Sequence, residues 1–390
     1  MHSSFRHLPS ILWKGRPIHL TFFATRKCNA KCPWCFYLQS AGADTGAGED
    51  LSLDEIREIS RRLRRLLWVA FSGGEIFLLD DLVEMSAIFH DQNRPTVMLF
   101  PTNGLMPETI RDRTERILRR CPNSVIVVKV SVDGPDGALD ARRGAPGGFR
   151  KAIETYRLVG ELLDRHANLE LGINTVFHSD NQDRMDEIID LVAGLAPKGT
   201  HTISVIRGDL LDKRYKRIDV DKYRRATDRL ARNLRNGTAG THRFAGARLK
   251  AAQDILQRRL IHRTLVEDRR LVPCYSGSLS LVLTETGEVH PCETLATSLG
   301  NVRDHGYDMA RLLRSERARA ALEPIAAGAC HCTHECNFIM NILFNPRLYP
   351  ALLGEYLRLC GPGPGRVAAP PSAGETSSGP PKANTGSAGP

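Results

Sequence analysis

The sequence predicts an α/β fold of repeated strand–helix units, and three observations support this. Helical patterns separate the strand-like runs, which indicates one parallel sheet, either an open stack or a barrel. Polar and glycine-rich segments (RKCNAKC, SGGE, PTNG and SVDG) follow strand ends, and they favour a barrel because barrel active sites lie in these loops. Six runs have the Val, Ile, Phe and Thr content of buried strands: Ile18–Thr25, Trp68–Glu75, Thr96–Gly104, Val125–Gly134, Leu169–Phe177 and Thr200–Gly208.

The first helix is predicted from a capping signal followed by a hydrophobic stripe. Ser52 stands three residues before Glu55, which is the spacing of a capping box. Apolar residues then recur on one helical face, at Leu53, Ile56, Ile59, Leu63 and Leu66. The later helices are predicted to start near Asp80, Pro107, Gly148 and Gln182.

Four segments are predicted along the chain. Residues 15–210 form the barrel, and residues 211–272 form a basic helical bridge. Residues 273–360 hold six of the ten cysteines and suggest a small metal-stapled region with a β-hairpin and helices. Residues 361–390 contain 14 Gly and Pro, so this tail is expected to be disordered.

The composition and the N-terminal residues indicate in which compartment the protein is expected. The chain has 390 residues, 42% hydrophobic and 25% charged, as in ordinary globular proteins. Its first 20 residues lack the apolar core of a signal peptide, and no apolar run reaches the roughly 18 residues of a membrane span. We therefore expect a cytoplasmic protein, where clustered cysteines are more often metal ligands than disulfides.

The net charge of +10 comes from one region, because residues 211–270 hold 18 Lys and Arg against 7 Asp and Glu. This predicts a single basic surface. It is either a solvated face of Arg-rich helices or a contact surface for an anionic substrate, a partner or a membrane. A zinc- or iron–sulfur-stapled nucleic-acid-binding protein is the alternative hypothesis, but the region lacks interleaved aromatic residues, so nucleic acid is not the expected partner.

A compact cysteine triplet follows the first predicted strand. Cys28, Cys32 and Cys35 lie within eight residues, whereas structural zinc sites generally use four ligands in two pairs. Three thiolates suit an iron–sulfur cluster that leaves one iron free to bind another molecule. A zinc knuckle or three buried free thiols are the alternatives.

The C-x3-C-x2-C spacing after a first barrel strand resembles the radical S-adenosylmethionine (radical SAM) enzymes. The resemblance implies a partial (β/α)6 TIM-like barrel and a [4Fe–4S] cluster whose open iron binds SAM. It also implies reductive cleavage of SAM to a 5′-deoxyadenosyl radical, with electrons from a donor such as flavodoxin or ferredoxin. Trp34 occupies the position where the family usually has an aromatic residue near the adenine.

Further strand-end residues match this resemblance. The segment FSGGE (Ser72, Gly73, Gly74 and Glu75) is similar to the family's GGE motif, which holds the SAM amino group, although Ile76 replaces a common proline. The glycines allow close approach to a ligand, and Glu75 offers an acceptor for an ammonium group. The resemblance implies that Ser131 and Asp133 reach the SAM ribose or carboxylate, and that Arg142 or Arg143 contacts the SAM carboxylate or the substrate. Asn103 and Asn174 are either ligand contacts or turn and strand-end residues.

A second cysteine group resembles the SPASM/twitch extension of these enzymes, which carries one or two auxiliary iron–sulfur clusters. A hairpin turning at Thr286–Gly287 is predicted between two of the cysteines. The resemblance favours one cluster, bound by Cys274, Cys292, Cys336 and either Cys332 or Cys330, with Cys332 preferred for its spacing. A second cluster would need Cys360, His331 or His334, and a zinc ribbon is the alternative. Cys121 is interpreted as an ordinary thiol.

Enzymes with this extension modify peptides, or act on sugars and aminocyclitols. The first strand starts near Ile18, which leaves no room for an N-terminal peptide-recognition domain in this sequence. The expected substrate is therefore a peptide presented with a separate partner, or a small carbohydrate-, lipid- or metabolite-type molecule.

Overall fold

The computed structural model describes residues 1–38 and 48–360, so the predicted tail lies outside the described residues. A parallel six-stranded sheet forms its centre, and each strand pairs with its neighbours in chain order. The strands are β1 His19–Thr25, β2 Trp68–Gly73, β3 Val97–Thr102, β4 Val125–Ser131, β5 Leu169–Phe177 and β6 Thr200–Val205. The prediction of a partial (β/α)6 barrel is confirmed, with strand ends shifted by at most three residues.

Helices follow the first five strands as predicted. The first follows its predicted cap directly, the third and fourth begin where the sequence indicated, and the second and fifth begin two or three residues later. The five helices are α1 Leu53–Arg62, α2 Leu82–Asn93, α3 Pro107–Arg120, α4 Gly148–Gly160 and α5 Met185–Gly194. The capping box is confirmed, because Ser52 Oγ accepts from Glu55 N (3.3 Å) and Ser52 N donates to Glu55 Oε2 (2.9 Å).

Helix α1 ends before the predicted stripe does. Leu63 has an extended conformation and Leu66 lies beyond the helix. The buried Asn93 amide donates to the carbonyls of Ser60 (2.9 Å) and Leu63 (3.0 Å), so a side chain of α2 satisfies the last carbonyls of α1. Leu63 and Leu66 are nevertheless buried in the core.

The cysteine-rich region continues the barrel sheet. Strand β7 (Ser280–Leu283) pairs in parallel with β1, and β8 (Glu288–His290) and β9 (Gly300–Asn301) follow in antiparallel order. The hairpin turn closes with a Gly287 N to Thr284 O hydrogen bond of 3.1 Å, as predicted. The remaining helices are α6 Val220–Asn236, α7 Ala247–Glu267, α8 Met309–Leu313, α9 Glu316–Ala327, α10 Glu335–Leu343 and α11 Tyr349–Cys360.

Part of the charge of the basic region is neutralised by carboxylates of other segments. Arg229 of α6 binds Asp186 of α5 at 2.7 Å and also contacts Asp190. Arg235 reaches the buried Glu355 of α11 at 3.1 Å. These partners lie outside residues 211–270, so some of the local excess charge holds the helical bridge to its neighbours. Among the described helices, none is both long and apolar enough to span a bilayer.

Candidate functional site

The loop after β1 presents the first three cysteines at the carboxyl edge of the sheet. Cys28, Cys32 and Cys35 are all half-buried and unpaired by disulfides. Cys28 Sγ accepts from the backbone N–H of Ala30 at 3.4 Å, and Cys35 Sγ accepts from that of Leu38 at 3.3 Å. Burial raises the pKa of the Cys28 thiol, and the N–H of Ala30 offsets part of that shift.

The loop after β2 packs directly on the cysteine loop. Gly74 N donates to Thr25 O (2.7 Å), and Glu75 N donates to Lys27 O (2.8 Å). A Cβ on Gly73, whose φ is +120°, would lie 2.3 Å from Thr25 O, and one on Gly74 would lie 2.1 Å from Lys27 O. The glycines therefore permit close approach to the protein's own cysteine-bearing backbone, a reason that the sequence did not reveal.

The Glu75 carboxylate links the loops after β2 and β3. It is buried and accepts from Thr102 Oγ1 (2.9 Å), Asn103 N (2.7 Å) and Phe77 N (3.2 Å). Burial raises the pKa of Glu75 to about 7, although these three hydrogen bonds favour the ionised form. Asn103 in turn donates to Asn29 Oδ1 at 2.7 Å and approaches Cys28 Sγ at 3.8 Å. Glu75 thus positions the third strand end against the cysteine loop.

A buried arginine faces the same loop from the segment after β4. Arg143 Nη1 lies 4.0 Å from Asp133 Oδ2 and donates to Ser131 O at 3.4 Å. Burial opposes its charge, but Cys32 and Asp133 outweigh this and raise the pKa of Arg143. Burial raises the pKa of the Cys32 thiol, and Arg143 offsets part of that shift. Arg142 instead pairs with Asp180 and is half exposed, so the structure brings only Arg143 to the cysteines.

The other predicted residues lie at the adjoining strand ends. Trp34 is buried and stacks on His178, with ring centroids 4.4 Å apart and an angle of 24°. Burial lowers the pKa of His178 to about 4, so this ring is neutral at pH 7. Asn174 Oδ1 accepts from Ser204 Oγ at 3.1 Å, and Asn174 pairs with Ser131 in the sheet. Ser72, Trp34 and Asn174 all line a cavity inside the barrel.

Four cysteines of the C-terminal region surround a separate small cavity of about 50 Å³. They are Cys274, Cys292, Cys330 and Cys332. Polar groups approach three of their sulfurs: Arg270 Nη2 donates to Cys330 Sγ (3.1 Å), Thr294 Oγ1 lies 3.3 Å from Cys292 Sγ, and Asn337 Nδ2 lies 3.8 Å from Cys332 Sγ. Such surroundings suit a thiolate-ligated metal group.

Cys336 does not line the small cavity, so the structure favours a different set of auxiliary-cluster ligands from the one that the sequence favoured. It stands in the first turn of α10 and lines the barrel cavity rather than the small one. Its sulfur groups with His334 and Glu293, whose ligand atoms all lie within 4.8 Å of one another. Glu293 also binds Arg207 at 3.1 Å, and it lines the barrel cavity together with Cys336. The geometry therefore favours Cys330 over Cys336 beside Cys332.

The distances between candidate ligand atoms can be compared with those of a zinc site, the alternative for both cysteine groups. Within residues 1–38 and 48–360, only the trio of Glu293, His334 and Cys336 brings three candidate ligand atoms within 4.8 Å of one another. Ligands of one tetrahedral Zn²⁺ with Zn–S bonds near 2.3 Å would lie roughly 3.8 Å apart. In neither cysteine group do three sulfurs lie within 4.8 Å of one another, so neither has the spacing of a preformed single-zinc site. Four cysteines as donors suit zinc and iron–sulfur groups alike.

Sequence reasoning missed one residue of the barrel cavity, Lys129 in the middle of β4. Its ammonium donates to Thr200 Oγ1 (2.5 Å) and Thr202 Oγ1 (3.3 Å). The signal that could have revealed it is a lone cation in the otherwise apolar run VIVVKVS.

A parallel βα barrel with cysteines and polar groups at its carboxyl edge defines an enzyme of the barrel class. Residues 22–192 match the family model described as the Radical SAM superfamily. The resemblance to the radical SAM enzymes that the motifs carry is confirmed over the barrel residues that this model matches.

Similar proteins share the fold at low identity. The chain is 24% identical over 316 residues to an AdoMet-dependent heme synthase of Nitratidesulfovibrio vulgaris, covering 76% of this chain and 80% of the relative. It is 29% identical over 187 residues to a PqqA peptide cyclase of Rhodopseudomonas palustris, covering 46% of this chain and 45% of the relative. The solved structure of native anSMEcpe with bound AdoMet aligns with a TM-score of 0.56 at 17% identity, over 88% of this chain and 98% of that chain.

Proposed function

We propose that this enzyme reductively cleaves SAM at a [4Fe–4S] cluster held by Cys28, Cys32 and Cys35, and modifies an organic substrate by removing a hydrogen atom. The observation that carries the proposal is the three-cysteine loop, placed at the strand ends and beside a cavity. When bound, the cluster supplies one electron, and SAM gives methionine and 5′-deoxyadenosine.

The chain's own residues have distinct tasks in this proposal. The loop after β2, fixed by Gly73 and Gly74, offers its backbone to the SAM amino group. Glu75 holds Asn103 in place, and its three protein donors leave the Oε2 oxygen one acceptor site for the SAM amino group. Arg143 and Asp133 form a buried charged pair near the SAM carboxylate or ribose.

We further propose one auxiliary iron–sulfur cluster bound by Cys274, Cys292, Cys330 and Cys332. Four cysteines can complete the ligation of such a cluster, whereas the first site offers three. The substrate is either a peptide, as the name of the cyclase relative suggests, or a small metabolite, as that of the heme synthase relative suggests.

The test is anaerobic reconstitution followed by dithionite and SAM. Wild type should bind about eight irons, four for each cluster, and should form 5′-deoxyadenosine. Cys32→Ala should lose this product and the iron of the first cluster, while Cys121→Ala, a buried thiol far from both groups in sequence, should keep them. A colourless zinc protein without 5′-deoxyadenosine formation would refute the proposal.

A further inference from the structure

The barrel encloses a cavity of about 340 Å³ that runs from the proposed SAM site into the sheet interior. Its wall is largely apolar, with side chains that include Phe36, Val97, Leu99, Val127 and Ile339. Pockets of this size hold small organic molecules, and a few polar groups usually fix their orientation. The polar groups of this wall therefore indicate what the ligand carries.

Lys129 is a cation without a carboxylate partner in this wall. It pairs with Pro101 and Gly172 in the sheet, two residues before the Ser131–Asn174 row. A Cβ on Gly172 would lie 2.6 Å from Lys129 Nζ, so this glycine makes room for the ammonium group. Within the described parts of the chain, no carboxylate oxygen lies within 4.0 Å of Nζ, and only the two threonine hydroxyls accept from it.

Arg258 of α7 adds a second positive charge to the same wall. It is buried, it donates to the carbonyl of His201 at 3.1 Å, and it forms no ion pair with the residues that the structure describes. The nearby Asp254 is already shared by Lys250 and His242. Two cations on the wall of one cavity, the half-buried Lys129 and the buried Arg258, are costly without counter-ions of their own unless an anion joins them.

Burial also lowers the pKa of Lys129 to about 7, because its charge lacks a close opposite charge. An anionic ligand would reverse that effect and keep the ammonium protonated at neutral pH.

We propose that this cavity binds the anionic end, a carboxylate or a phosphate, of a compact and otherwise apolar substrate. Lys129 contacts the anion, and Arg258 supplies a second charge. The inference rests on the proposed function, whose substrate class it names. Two strand residues span roughly 6–7 Å, so the anion lies about one layer of side chains below the strand ends where SAM is proposed to bind.

The test is calorimetric titration of the anaerobically reconstituted full chain with decanoate, decyl phosphate and decanol. We expect at least one anion to bind about 10-fold or more tightly than decanol, because a charge-assisted hydrogen bond to a buried cation is worth at least that factor. Lys129→Met should lower this preference to what Arg258 alone supplies, and Lys151→Met, a change on the exposed face of α4, should leave it unchanged. The tighter of the two anions identifies the preferred headgroup.

Decanol binding as tightly as both anions, or an anion preference as large in Lys129→Met as in wild type, would overturn the inference. Lys129→Gln replaces the methionine variant if circular dichroism shows that the latter is unfolded. The titration does not require SAM turnover, so the two proposals fail separately. If the anions bind but no 5′-deoxyadenosine forms, the proposed function is contradicted. If 5′-deoxyadenosine forms but the anions bind no better than decanol, only the anion site is contradicted.

Discussion

Gly74→Ala tests whether the loop after β2 sets the position of the cysteine loop. The added Cβ would lie 2.1 Å from Lys27 O and 2.7 Å from Lys27 C, both backbone atoms that cannot rotate away. Reaching the shortest normal contact of 3.0 Å requires the loops to separate by about 0.9 Å. That shift weakens the hydrogen bonds Gly74 N to Thr25 O and Glu75 N to Lys27 O.

The expected cost follows from these contacts. Overpacking costs about 1–3 kcal/mol, and two weakened hydrogen bonds add about 1–2 kcal/mol, so the free energy of unfolding should fall by about 2–5 kcal/mol. Since a functional site tolerates only about 0.5 Å of displacement, iron content and 5′-deoxyadenosine formation should fall as well. Urea unfolding and iron analysis measure both effects.

Gly194→Ala is the matched control, because nothing lies within 4 Å of a Cβ at that helical position. It should leave activity unchanged and either preserve stability or raise it by up to about 1 kcal/mol. The reasoning is refuted if Gly74→Ala matches Gly194→Ala in stability, iron content and product formation.

Three further predictions concern the cysteines, the buried arginine and the cavity lysine. Cys330→Ala should lower bound iron by about four per chain, whereas Cys336→Ala should retain it; equal iron loss in both would contradict the revised ligand set. Arg143→Met should destabilise the protein by about 1–3 kcal/mol in urea unfolding, because the buried Asp133 carboxylate loses its counter-charge. Arg142→Met, at a half-exposed ion pair, should cost less than about 1 kcal/mol; equal costs in the two variants would show that Arg143 has no special role. Because burial holds the pKa of Lys129 near 7, the unfolded chain binds more protons between pH 7 and 10.5, so stability should rise with pH across that window. From pH 7 to 9 the free energy of unfolding of wild type should rise by about 2 kcal/mol more than that of Lys129→Met, as measured by urea unfolding. Parallel pH profiles of the two proteins would contradict the lowered pKa of Lys129.

The sequence predicted the strand ends of the first site because its signals are local. Cysteine spacing, the GGE segment and the strand pattern all lie within short windows, and parallel strand ends meet at one edge of the sheet. The structure accordingly brings Cys28, Glu75 and Asn103 together.

Other features depend on contacts between distant segments. Both faces of a parallel strand are buried, so hydrophobic alternation could not show that Lys129 faces the cavity. The choice between Cys330 and Cys336 depends on where α10 begins and which cavity its first turn faces. The parallel pairing of β7 with β1 likewise joins segments about 260 residues apart in the chain, beyond the range of any local pattern.

The most direct test of the central claim is electron paramagnetic resonance of the dithionite-reduced Cys330→Ala variant, which should hold only the first cluster. We predict that adding SAM shifts the g values of that cluster, because SAM binds the iron that Cys28, Cys32 and Cys35 leave open. A reduced-cluster spectrum that SAM leaves unchanged would contradict the claim.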